Sequence, residues 1–492
     1  MNLSTVDIII IVAYILLVFL SGTFVKKYIK DIENFLVAGR SMGFYLGIIS
    51  LMCTEIGMIT YIYYAELGFK AGFAALVVAF PPVLAYLLLG RTGFVIKPLL
   101  EMKISTIPEF FSRKYSHGVR FYIGVIMAVG GILNFGVFPG VEANFINIVT
   151  GIPHNYILVT MVVMLTIVLL YTLVGGMVSV IVTNYVQYAL LSFGMIFITV
   201  YGVYDIGWSN IVNAVSTNLG EKGMNPFFPD AWNSQFGIGF FVWQFLLWVA
   251  ILVGWQAISM RLFSSKNTKT GQRIYSWSAL MFLSRAILPI FWGIMALAVL
   301  GSDVKSLDAL PYFVLKVVPS GILGLIFAAL LAASMSTYAS YLLSWSSVVS
   351  QDIIGAIYKK IVGKEATSKK QLLISRITMA GVMIFIIWWS LFHDMKGYLY
   401  FYLNMTAMLF IPGVLASVVL GLYWKKASTW GAYTAITLGA VLPLLYLIWP
   451  LQVKEYASEI GWGGFIVAFV GMAVGSYLEY FISPKKRKEV VR

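Results

Sequence analysis

The chain of 492 residues holds one cysteine, Cys53, and three histidines, His117, His154 and His393. A lone cysteine excludes an internal disulfide and any cysteine-rich metal site. The histidines lie far apart, each near the end of an apolar stretch, so no cluster of acids, bases or metal ligands marks an enzyme. Charge is also scarce: Asp, Glu, Lys and Arg make up 11% of the residues. Hydrophobic residues fill 60% of the chain, against roughly 45–50% in soluble domains, and the mean hydropathy is +0.89. This is the composition of an all-α integral membrane protein, not of a soluble domain with a large core. The net charge of +14 would point to nucleic acid in a soluble protein; here the placement of the basic residues explains it.

Thirteen apolar stretches approach or exceed the ~20 residues a bilayer core requires. They cover 6–25, 42–66, 71–98, 118–149, 155–175, 179–206, 237–262, 272–301, 309–353, 372–393, 395–421, 429–450 and 460–482. Several are long enough to predict tilted or broken helices. The first is not expected to be a cleaved signal peptide, since no basic residue precedes it and no small-residue cleavage site follows.

Of the 34 basic residues, Lys70, Lys222, Lys305, Lys316, Lys396 and Lys454 fall in connections on one side, and Arg91, Lys97 and Arg285 within spans; the other 25 mark the opposite side. By the positive-inside rule the N-terminus is outside and the C-terminus cytoplasmic. The KKRK run at 485–488 is expected to touch anionic lipid. Two connections are long, a polar external loop at 207–236 and a Lys-rich internal one at 354–371, and neither is large enough for a separate domain. The chain reads as one transporter-sized unit over 1–492.

Two spans carry unusual chemistry. GLIFAALLAASMSTYASYLLSWSSVVSQDI, Gly324 to Ile353, sets Ser336, Thr337 and Ser340 on one stripe of a helix. Such hydroxyls either donate oxygens to a small cation or bond back to their own helix's carbonyls. The second span, GIISLMCTEIGMITYIYYAELGF, is interrupted at mid-depth by Thr54, Glu55, Gly57 and Thr60. A glycine beside a carboxylate there predicts local unwinding, tolerated where the freed backbone lines a cavity or binds something.

Five motifs then align with one family. FLVAGRSM at 35–42, ISTIPEFFSRKYS at 104–116, LVGGMVSVIVTNYVQ at 173–187, the FAAL…S segment after Gly324 and PGVLASVVLGLYWKKASTWGA at 412–432 occur in order. Together they resemble the sodium:solute symporter family, which includes sodium/sugar, proline, pantothenate, sialic acid and choline transporters. The resemblance implies a LeuT-type five-plus-five inverted repeat: 42–206 as the first repeat, 237–421 as the second, with 6–25 before them and two spans in 429–482 after. It implies no cofactor beyond Na+ as coupling ion, and as partners a small-molecule solute and membrane lipid, with no nucleic acid and no obligatory protein partner.

Carried over position by position, the family's sodium site falls on the carbonyls of Cys53, Ile56 and Ala333 and the hydroxyls of Ser336 and Thr337, with the Cys53 thiol as filler. A second sodium site of some members needs an Asp where this chain has Asn184 and a hydroxyl where it has Ala339, leaving Ser340 alone; its absence is expected. Candidate solute contacts are Thr60, Asn134, Trp248, Arg285 and Asn404. Ile251 stands where sugar carriers place a gating tyrosine, and Ala79 at another of their polar positions, which argues against a hexose.

Arg285, at mid-membrane, either faces the cavity or pairs with Glu55 or Glu142. Glu142, near the outer end of its span, is read as a solvated or capped carboxylate. The aromatic residues are read as interfacial belt and packing, with one or two in the cavity. The expectation is sodium-coupled symport of a small carboxylate-bearing solute across the cytoplasmic membrane by alternating access. Alternatives are proton coupling through Glu55, a cationic choline-like solute held by Glu55 and Trp248, a neutral sugar-like solute, and a transporter-fold sensor, for which the tail after 482 offers no signalling domain.

Overall fold

The computed structural model describes residues 2–24, 32–227, 236–393 and 397–483; the KKRK run lies outside the described residues. Among these residues the chain is helical, and its one β pairing is an isolated bridge between Met42 and Ser265. In chain order the helices are α1 Thr5–Phe24, α2 Ile32–Val37, α3 Phe44–Glu55, α4 Met58–Ala71, α5 Phe80–Thr92, α6 Ile96–Glu101, α7 Ile107–Lys114, α8 His117–Gly136, α9 Phe138–Thr150 and α10 Ile157–Ile206. They continue with α11 Trp208–Met224, α12 Ile238–Gly254, α13 Gln256–Phe263, α14 Thr268–Leu300, α15 Ala309–Val317, α16 Leu323–Ser347, α17 Gly355–Val362, α18 Ser368–Phe392, α19 Leu399–Met408, α20 Ile411–Tyr423, α21 Thr429–Ile448, α22 Pro450–Val453 and α23 Ala457–Ile482.

Among the described residues, eight helical runs are long and apolar enough to cross a membrane, or up to ten if the bent pairs α12–α13 (51°) and α19–α20 (41°) each count as one. Three shorter apolar helices, Thr5–Val18, Phe44–Glu55 and His154–Leu170, accompany them. Two expectations change in detail. The 309–353 stretch is two helices, because Val318 turns extended, Pro319 lacks an N–H and Gly321 adopts φ +88°. The loop expected at 207–236 contains α11, which packs on α14 and α4. The stretches at 155–175 and 179–206 remain distinct: the run α10 is broken between them at Gly176, whose φ of 47° and ψ of −140° are non-helical.

The core forms where α16 packs on α10, α1, α3 and α4, and where α14 packs on α3, α4 and α5. α16 is buried along its whole length from Leu323 to Ser347 except at Leu325. Two sequence motifs serve as ties at one end of the bundle. In FLVAGRSM, the Met42 N–H donates to Ser264 O (2.9 Å) and Arg40 donates to Phe263 O (3.2 Å) and Lys103 O (2.9 Å). In ISTIPEFFSRKYS, Thr106 donates to Asp352 (3.1 Å), which also pairs with Arg120 at 2.7 Å, and the Ile107 N–H donates to Gln256 Oε1 (3.0 Å).

The α4–α14 crossing depends on two glycines. A Cβ on Gly68 would lie 1.9 Å from Ile290 O, and one on Gly293 would lie 1.9 Å from Ala65 O, so even alanine forces the backbones apart. Gly68→Ala and Gly293→Ala are each expected to destabilise by about 1–3 kcal/mol. Gly381→Ala on α18, where a Cβ meets nothing within 4 Å, is the neutral control. Thermal unfolding in detergent checks this; three equal melting temperatures would contradict it.

Candidate functional site

The predicted unwinding of the second span is an abrupt break. α3 ends at Glu55, Ile56 (φ −105°, ψ 86°) and Gly57 (φ −98°, ψ 167°) leave helical geometry, and α4 begins at Met58. A continued helix would send the Gly57 N–H to the Cys53 carbonyl and the Thr60 N–H to the Ile56 carbonyl. Instead the Gly57 N–H donates to Thr60 Oγ1 (3.2 Å) and the Thr60 N–H to Gly57 O (3.0 Å). The Cys53 and Ile56 carbonyls thereby lose their helical donors. The neighbouring Glu55 carbonyl accepts from Arg285 Nε (2.7 Å) and Thr60 Oγ1 (3.1 Å).

Opposite the break runs α16. A Cβ on Gly57 would lie 2.7 Å from Thr337 Oγ1, so glycine is what lets the threonine reach the break. Thr337 Oγ1 is buried and makes no hydrogen bond. Ser336 donates to Ala333 O (2.9 Å) and Ser340 to Ser336 O (2.7 Å), so two of the three hydroxyls make the back-bond to their own helix. A hydroxyl that donates its proton still has lone pairs to offer. Oxygens alone, with one orphaned hydroxyl among them, are a donor set that fits a hard cation.

Beside the break lies a cavity of about 70 Å³ lined by Thr60, Asn134, Trp248, Arg285 and Asn404, with Glu55 and Thr337. All five expected solute contacts thus reach one space, but they are not equally free. Thr60 is spent on the break. Asn134 donates to Leu403 O (2.7 Å) and Thr406 Oγ1 (2.9 Å), joining α8 to α19. Asn404 Nδ2 has no partner. Arg285 donates to Tyr63 Oη (2.9 Å) and Tyr64 Oη (3.2 Å) as well as to the Glu55 carbonyl. Its guanidinium carbon sits 5.4 Å from the Trp248 ring centre, and its Nη2 is 3.9 Å from Glu55 Oε2. Of the expected pairings, the one with Glu55 is present.

The aromatic expectation was too low: Tyr63, Tyr64, Phe138, Trp248, Trp255, Tyr341 and Tyr400 all line the cavity. Tyrosine is abundant along this chain, and spacing alone does not separate a cavity-facing ring from a lipid-facing one. Glu142 is not the solvated carboxylate of the two expected alternatives: it is fully buried and accepts from the Ile59 N–H at the start of α4 (2.9 Å) and from the Ser334 hydroxyl. A position near a span end does not reveal which face of α9 packs against α4 and α10.

At the second-site positions, Asn184 donates to Ser50 Oγ (3.3 Å), and Cys53 Sγ donates to Asn184 O (3.3 Å). Ser340 Oγ accepts from Arg261, a fully buried arginine that the sequence reading did not single out.

The sodium:solute symporter family model matches residues 35–439. The chain is 27% identical to the human sodium/myo-inositol cotransporter, over 91% of this chain and 67% of that one. It is 24% identical to the Vibrio parahaemolyticus sodium/glucose cotransporter, over 92% of this chain and 87% of that one. Among solved structures, a substrate-bound, outward-open Na+-coupled sialic acid symporter superposes with a TM-score of 0.82 at 17% identity, covering 96% of this chain and 98% of the other. A nucleobase-cation-symport-1 family transporter, closed with bromovinylhydantoin bound, gives 0.55 at 15% identity over 93% and 97%. The fold is that of the LeuT-type transporters. The chain belongs to the sodium:solute symporter family: a multi-pass membrane transporter, not an enzyme, with sodium as its coupling ion and a solute and sodium as its ligands.

Proposed function

We propose that the chain carries one Na+ and one small carboxylate-bearing solute per cycle into the cell by alternating access. In this reading thirteen spans cross the cytoplasmic membrane, N-terminus outside and C-terminus inside, with 42–206 and 237–421 as inverted repeats. The broken α12–α13 pair that opens the second repeat, like α3–α4 in the first, supports that division. Sodium is held by the carbonyls of Cys53, Ile56 and Ala333 and the hydroxyls of Ser336 and Thr337. The observation that carries this is the orphaned, buried Thr337 hydroxyl aimed at the break.

Charge supports one sodium and an anionic solute. Near the break the buried ionisable residues Glu55, Glu142, Arg261 and Arg285 cancel in formal charge. Sodium adds one positive charge to a low-dielectric region, and a monocarboxylate removes it. Arg285 has five N–H groups and directs three to the Glu55 carbonyl, Tyr63 and Tyr64, leaving two for a carboxylate. A second sodium is disfavoured by Asn184, Ala339 and the guanidinium of Arg261 on Ser340.

A second reading, a neutral polyhydroxylated solute, is favoured by Glu55 Oε1. This buried oxygen makes no hydrogen bond, and with the unpartnered Asn404 Nδ2 it would suit a ring of hydroxyls. The relatives named for myo-inositol and glucose support it.

Replacing Ser336 and Thr337 together by Ala is expected to abolish sodium-dependent uptake while leaving folded protein in the membrane. Unchanged sodium affinity in that double variant would refute the sodium assignment.

The two solute readings differ electrically. One Na+ with one monocarboxylate moves no net charge, so a tenfold sodium gradient, about 1.4 kcal/mol, sustains about tenfold accumulation. A neutral solute also draws on about 2.3 kcal/mol per 100 mV, for accumulation of a few hundred-fold. Uptake into reconstituted vesicles, with and without an imposed potential and against a panel of competitors, decides between them. Electroneutral uptake competed by monocarboxylates and weakened at least tenfold in Arg285→Lys is expected. Potential-driven uptake competed by polyols alone would favour the neutral reading, and competition by choline or betaine aldehyde alone would exclude both.

A further inference from the structure

We propose that Glu142 is a positioning residue for the sodium site, joining its two halves and supplying the negative charge that draws the cation in. The proposal rests on the sodium assignment to the α3–α4 break and α16. Glu142 belongs to neither element; it comes from α9 and is fully buried. One carboxylate oxygen accepts from the Ile59 N–H at 2.9 Å, two residues past Gly57. The other accepts from the Ser334 hydroxyl, whose residue adjoins Ala333 on α16. The two halves of the site therefore meet on one carboxylate.

Two features set Glu142 apart from an ordinary structural carboxylate. Both of its partners are donors, an N–H and an O–H, which is the arrangement an ionised carboxylate asks for. No ion pair among the described residues includes it: Asp352 has Arg120 and Glu55 has Arg285, but Glu142 has neutral hydroxyls, Ser334 and Tyr338, and the positive end of the α4 half-helix. A negative charge so placed inside the membrane is stabilised most by a cation close at hand. The neighbouring oxygens of Cys53, Ile56, Ala333, Ser336 and Thr337 are where that cation would sit. Removing the charge weakens sodium binding; removing only one of its bonds weakens it less.

The test measures uptake as a function of sodium concentration in vesicles holding the full chain. Glu142→Gln keeps the shape, removes the charge and turns an amide toward one donor. Its half-saturating sodium concentration is expected to rise about tenfold or more. At saturating sodium its maximal rate and solute KM should stay within about twofold of the parent, the split that separates a cation-positioning role from general damage. Ser334→Ala, which keeps the charge, should raise the sodium constant by about threefold.

An unshifted sodium constant in Glu142→Gln overturns the proposal, as does lost maximal rate without a sodium shift. Should that variant not reach the membrane, Glu142→Asp and Ser334→Ala carry the test, and unshifted constants in both overturn it. The Ser336/Thr337 double alanine variant, run in parallel, keeps the two ideas apart. If it retains sodium dependence, the site assignment itself has failed; if it loses it while Glu142→Gln stays unshifted, only the role of Glu142 has.

Discussion

A backbone break in the middle of a membrane frees polar groups where no bulk water reaches them, and each must find a partner inside the protein. At Ile56–Gly57 the partners are specific. Thr60 folds back to take the Gly57 N–H, Glu142 takes the Ile59 N–H, and Arg285 and Thr60 both donate to the Glu55 carbonyl. The groups left over are the carbonyls whose helical donors have been diverted, at a break where Gly57 packs against Thr337 of α16. The site is thus the remainder of a satisfaction problem, and the residues that solve the rest of it shape what remains.

The same device recurs along the chain. Asp7, fully buried, accepts from the Gly324 N–H at the start of α16 (2.6 Å), and Glu66 accepts from the Leu399 N–H at the start of α19 (3.1 Å). With Glu142 on α4, three buried carboxylates each cap a helix distant in sequence. A helix end exposed to water can use a local Ser, Asp or solvent; one buried in a bundle needs an acceptor from elsewhere, and a carboxylate also meets the helix dipole with the favourable sign. Two other buried carboxylates, Glu55 and Asp352, pair instead with Arg285 and Arg120, and the tyrosines around Arg285 provide hydroxyl acceptors without adding charge.

This long-range capping explains what the sequence revealed and what it did not. The spans follow from apolar length, and the break follows from Gly57 beside Glu55, because both are local signals. The candidate residues came from motifs in register: the five solute candidates line one cavity, Cys53 and Ile56 stand at the break, and Thr337 reaches it from α16. Arg261, and the partners of Glu142, escaped because each residue acts on a partner dozens of residues away. Glu142 reaches Ile59 and Ser334, Arg261 reaches Ser340, and no window of sequence contains both ends. The hydroxyl stripe was ambiguous for a related reason. Ser336 and Ser340 do bond back to α16, and only the approach of Gly57 distinguishes Thr337 from them.

Shared residues also give coupling a physical path. Thr337 and Glu55 line the solute cavity and border the break; Thr60 lines the cavity and holds the break's backbone. Arg285 touches the cavity with its guanidinium and the break through the Glu55 carbonyl. Under the proposed assignment a cation that orders the break would also order the floor of the cavity, and a solute that engaged Arg285 would bear on the backbone of the break through the Glu55 carbonyl. Linkage requires the effect to be mutual: whatever factor sodium adds to solute affinity, solute adds to sodium affinity. Two sites built on one broken helix, as proposed, would meet that requirement without any long pathway between them, because both ligands would bias the same backbone at Glu55, Ile56 and Gly57.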